Sequence, residues 1–69
     1  MRTWKRNGYE VVEIEFDCDL HEFEVIKDNK VVATITPNSI ENMEAIIADL
    51  DAGKDVNGWE DGMGNTISI

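Results

Sequence analysis

From Glu10 onward polar and apolar residues alternate. Val12, Ile14, Phe16, Cys18 and Leu20 share one parity, and Glu13, Glu15, Asp17 and Asp19 share the other. A period of two marks a strand with one face buried and one in water, so the apolar parity is assigned to the core. The parity slips afterwards, because Phe23 and Val25 are apolar where Glu22 and Glu24 are polar. A turn or bulge near Asp17 to His21 would absorb that slip.

Upstream, Asn7-Gly8 is a strong hairpin signal, since a type I′ turn needs φ > 0 at both central positions. Pairing across it sets Arg6 opposite Tyr9, Lys5 opposite Glu10, Trp4 opposite Val11 and Arg2 opposite Glu13. Two of these pairs join opposite charges, which supports the register. Downstream, Asp28-Asn29 between Lys27 and Lys30 is a turn into Val31-Val32-Ala33-Thr34-Ile35, a run that is apolar on both parities. A two-residue and a three-residue loop both fit. The three-residue loop sets Phe23 and Val25 opposite Ile35 and Ala33, the better apolar match.

Pro37-Asn38-Ser39 ends this run, and Asn38 followed by Glu41 has the spacing of a capping box. Apolar spacing then becomes helical, through Ile40, Met43, Ile46, Ile47 and Leu50, with Gly53 as the C-terminal stop. A glycine-rich segment pinned by Trp59 follows, and Ile67 and Ile69 suggest a short last strand. The expected architecture is a single α+β domain over residues 1–69: a small antiparallel sheet, a meander of about four strands, with one amphipathic helix packed on a face and a short C-terminal strand.

Charge changes this picture more than composition does. At 42% hydrophobic residues the chain is globular, but fifteen acids against six bases give a net charge of −9 over 69 residues. Such a chain repels nucleic-acid phosphates and anionic membrane surfaces; neither is expected as a direct partner. A chain this short buries only about 60% of its unfolded surface, so a deep active-site cavity is not expected. One cysteine excludes an internal disulfide and points to a reducing, cytoplasmic setting. No apolar run suits a signal peptide or a membrane span.

Candidate chemistry is thin. Cys18 and His21 are metal-ligand types, but a structural zinc site needs four ligands, and neighbouring carboxylates raise a thiol pKa rather than lower it. Cys18 is read as buried, His21 as exposed, and no metal or cofactor is expected. The acids of the Asp51 to Asp61 segment do not match an EF-hand, because Trp59 stands where a ligand should. The glycines from Gly58 to Gly64 lack the spacing of a phosphate loop and the Lys that follows one.

Seven acids and no Lys or Arg lie from Glu10 to Glu24. On a strand, Glu13, Glu15, Asp17 and Asp19 would form a row at about 6.7 Å intervals, a spacing matched to every second phosphate of one nucleic-acid strand. Trp4, Tyr9 and Val11 fall on the same face, and an apolar cluster rimmed by charge resembles an interaction surface. The expectation is therefore a small non-enzymatic binding protein. It would engage another protein, one with a basic surface, through Trp4, Tyr9, Val11, Glu13, Glu15, Asp17, Asp19 and Trp59, and would inhibit or regulate a nucleic-acid-binding partner. The alternative is a structural module that forms homo-oligomers by edge-strand pairing.

Overall fold

A computed structural model describes residues 1–69. Four strands, β1 (Thr3–Arg6), β2 (Tyr9–Glu15), β3 (His21–Lys27) and β4 (Lys30–Ile35), precede one helix, α1 (Ile40–Asp51). The strands form an antiparallel meander in the order β1-β2-β3-β4, so the domain is α+β. No helix is long and apolar enough to cross a membrane.

The first hairpin has the expected register, with Trp4 opposite Val11, Lys5 opposite Glu10 and Arg6 opposite Tyr9. Its turn chemistry differs from expectation. Only Gly8 has positive φ, at 93°, so Asn7-Gly8 is not type I′. The turn with two left-handed residues is Asp28-Asn29, at φ 54° and 65°. That two-residue loop pairs Lys27 with Lys30. A bulge between Val25 and Ile26, with Val32 as the extra residue on β4, then restores Val25 opposite Ala33 and Phe23 opposite Ile35. The apolar match anticipated for a longer loop is thus reached with a shorter one.

Helix α1 begins one residue later than the capping box suggested. Ser39, not Asn38, is the N-cap, and its hydroxyl accepts from the Asn42 amide at 3.0 Å. At the other end Gly53, at φ 86°, closes a Schellman motif: its amide donates to the Leu50 carbonyl, and the Lys54 amide donates to that of Asp49. Arg6 reinforces this end across the fold, with Nη2 donating to the Leu50 carbonyl (2.6 Å) and Nε to the Lys54 carbonyl (3.2 Å). A guanidinium there also complements the negative end of the helix dipole.

The face of the sheet that enters the core is the opposite of the one read from β2. Trp4, Val11, Phe23, Val25 and Ile35 are buried and pack with Leu50 of α1 and with Val56 and Ile67 of the C-terminal segment. Val12 and Ile14 are only half-buried, and Phe16 is 55% exposed. Side chains directly opposite one another share a face, so the sheet-wide sum decides which face is covered. Trp4, Phe23 and Ile35 outweigh the apolar set of one strand, and Trp4 and Phe23 meet with ring centroids 5.9 Å apart.

The C-terminal segment forms no strand of the sheet. Its one β-type pairing is the bridge between Glu60 and Thr66. Ile67 is nonetheless buried, with its amide on the Trp59 carbonyl (2.7 Å) and its carbonyl accepting from the Gly58 amide (2.9 Å).

Candidate functional site

Three of the residues expected at a binding surface lie under the helix. Trp4 is 8% exposed, Val11 fully buried and Glu13 5% exposed. Trp4 further donates its indole N–H to Asp51 Oδ1 at 2.8 Å, which ties β1 to the end of α1. Their place in a partner-binding face is corrected accordingly: they are core residues, held there because the face they share carries the larger apolar side chains. Tyr9 is half-buried beside them. Its hydroxyl donates to Asp55 Oδ1 (2.8 Å) and accepts from the Val56 amide (3.2 Å). Burial, aided by the Asp55 carboxylate, raises the Tyr9 pKa, whereas hydrogen bonds led by that from the Asn57 amide lower that of Asp55.

The acidic row is not a row. Glu13 is turned into the protein, β2 ends at Glu15, and Asp17 and Asp19 occupy the exposed β2–β3 connection. The regular spacing that suggested phosphate mimicry requires a continuous strand with all four acids in water, and that geometry is absent. Glu15, Asp17 and Asp19 remain exposed, and Trp59 is half-buried. Trp59 borders a groove of about 420 Å³ between α1 and the C-terminal segment, with Asn38, Asn42, Asp49, Glu60 and Asp61 among its walls.

Cys18 and His21 also exchange roles. Cys18 is exposed because it sits past the end of β2. His21 is partly buried, with Nδ1 2.7 Å from Glu13 Oε2. Glu13 Oε1 accepts from the Arg2 amide (3.1 Å), and the Arg2 guanidinium lies 3.9 Å away. Burial pushes the Glu13 carboxyl up, but the bonds from His21 and the Arg2 amide, with the charges of both side chains, more than offset this. Its pKa is lowered. No group of three or more His, Cys, Asp or Glu side chains is placed to hold a metal ion.

The surface that folding leaves open is the other face of the sheet. Cross-strand rows place Lys5, Glu10, Ile26 and Val31 side by side, then Thr3, Val12, Glu24 and Thr34, then Ile14 and Glu22. Ile14 and Val12 along β2, then Ile26 and Val31 across β3 and β4, therefore make one bent apolar patch over three strands. Glu22 and Glu24 flank it on one side and Glu10 on the other. None of the four belongs to the core cluster or packs against it; three are half-buried and Val31 is 50% exposed. Part of this patch follows from the pairing of β3 with β4: once Phe23 and Val25 are matched to Ile35 and Ala33, Ile26 must share the opposite face with Val12, whereas Val31 joins it only through the bulge at Val32.

Comparison with known proteins returns no family model, no curated relative and no solved structure that matches the chain.

Proposed function

We propose that this chain is a small acidic binding protein that acts by docking on another protein through the uncovered face of its sheet, and not by catalysis. One observation carries the reading. An antiparallel sheet with one face in water normally alternates apolar-in and polar-out, yet here the uncovered face keeps Ile14, Val12, Ile26 and Val31 contiguous while the core is complete without them. Contiguous apolar surface rimmed by charge is characteristic of a protein interface.

Edge-strand assembly has less support. β1 is only four residues long and carries Lys5, while β4 is bulged and gives its Thr34 carbonyl to the Gly62 amide at 2.8 Å. Short, charged or bulged edges are devices against pairing.

Capture from cell lysate by three tagged forms tests the proposal: wild type, Val12→Ser with Ile26→Ser, and Glu15→Gln with Asp17→Asn and Asp19→Asn. A partner identified by mass spectrometry should be retained by the loop variant and lost by the face variant, both remaining folded by circular dichroism. Retention of every wild-type partner by the face variant would refute docking through this surface.

A further inference from the structure

We infer that residues 60–66 are a preassembled flap, which swings as one body on Trp59 and Ile67 and is latched shut by Gly62 against β4. The loop is closed by its own bonds. The Asp61 amide donates to the Asn65 carbonyl (2.8 Å) and the Gly64 amide to the Asp61 carbonyl (3.2 Å), while Asp61 Oδ1 accepts from the Met63 and Asn65 amides (2.9 Å each). Glu60 pairs with Thr66 across its neck. At the base Ile67 is buried, Trp59 packs against the core, and the Ile67 amide donates to the Trp59 carbonyl at 2.7 Å. The ends are thus fixed together, as in other compact surface loops, and the tip reaches past the core: residues 62–66 are exposed, Met63 by 87%.

One hydrogen bond joins this tip to the sheet, from the Gly62 amide to the Thr34 carbonyl at 2.8 Å. The loop's side-chain hydrogen bonds are the two within it. The latch depends on an absent side chain. A Cβ on Gly62 would lie 2.5 Å from Thr36 Oγ1 and 3.1 Å from Thr36 Cβ, and the Thr36 hydroxyl is itself engaged, donating to Glu22 Oε2 at 2.7 Å. Four of the five glycines have positive φ and Gly62 does not, so close approach and not backbone conformation is what this glycine supplies. A segment bonded to itself and attached at its tip by one exposed hydrogen bond opens by breaking that bond, more readily than it unravels. Opening moves Glu60 and Asp61 away from Ile46 and Asp49 across the groove beside Trp59. It also frees the Thr34 carbonyl on the edge of β4, where an unpaired group can accept another strand.

Native-state hydrogen exchange on the intact chain, followed by NMR, tests this. After correction for intrinsic rates, the Gly62 amide should exchange at least about tenfold faster than those of Asp61 and Ile67, because opening releases Gly62 alone. Gly62→Val, whose side chain meets Thr36, should abolish protection at position 62 and leave Asp61 and Ile67 within about threefold of wild type. A smaller difference in the wild type, or a larger rise at Asp61 and Ile67 in the variant, would show that the segment unravels and does not swing, and would overturn the inference. Exchange of Gly62 as slow as that of the β2 and β3 amides would overturn it too, since the flap would then open only when the whole domain unfolds. The wild-type pattern decides by itself if the variant does not fold.

Discussion

Glu13 shows how a residue read as surface becomes part of the interior without breaking electrostatic rules. A carboxylate under a helix is costly unless paired and hydrogen-bonded, and Glu13 has both His21 and the Arg2 amide within bonding distance. A folded-state pKa below the unfolded one means that the stabilisation is fully present above the unfolded value. It is lost as pH falls through the folded one. Thermal unfolding should therefore show a loss of stability that sets in as pH drops below about 4, and Glu13→Gln should flatten that part of the profile. At neutral pH the same variant should be destabilised by about 1 to 3 kcal/mol, because partners formed for a carboxylate are left with an amide. Wild-type stability at pH 7, with an unchanged acid limb, would show that the pairing contributes nothing.

At the scale of elements, turns and caps are where local chemistry and observed geometry are most closely tied. Asp28 and Asn29 both adopt left-handed backbone without a glycine, at φ 54° and 65°. Asn and Asp tolerate that region better than other side chains, yet less well than Gly. Converting the pair to Asn-Gly, by Asp28→Asn with Asn29→Gly, supplies the preferred residues of a type I′ loop. It should raise stability by about 0.5 to 1 kcal/mol, seen as a higher denaturation midpoint with an unchanged slope. A lower midpoint would mean that the Asp28 carboxylate is needed at this turn. The helix obeys the same local logic at both ends, with Ser39 at the start and Gly53 at the stop. Only Arg6, reaching from β1 to the last carbonyls, comes from outside the local sequence.

For the whole molecule the governing quantity is unpaired negative charge. Of the fifteen acids, Glu13, Asp49 and Asp51 have a basic partner within 4 Å, and the rest share a particle of only 30 × 23 × 20 Å. Self-repulsion of this kind acts against the compact state and is screened by salt. The melting temperature should therefore rise between about 0.02 and 0.5 M NaCl, by roughly 2 to 6 °C for a domain of this size. A fall would mean that attractive pairs, including those of Glu13, outweigh the repulsion.

Local pattern sufficed for an antiparallel meander of about four strands, the first register, the helix and its glycine stop. Each of these depends on neighbours in the chain: alternation, turn residues and helical spacing. Asp28-Asn29 was legible as a turn but its loop length was open, because a bulge at Val32 lets a two-residue loop reach the apolar match of a three-residue one. Which face of the sheet is covered, and with it the candidate site, depends on how the strands, the helix and the C-terminal segment come together. Period-two alternation states that two faces differ and not which one is covered. In β2 the local pattern favoured Val12 and Ile14, while Trp4, Phe23 and Ile35, arriving on other strands, together with Leu50, Val56 and Ile67, drew Val11 and Glu13 inward instead. Burial is a property of the assembled layers, so the interior position of Glu13 and the open patch from Ile14 to Val31 exist only once all four strands and the helix are in place.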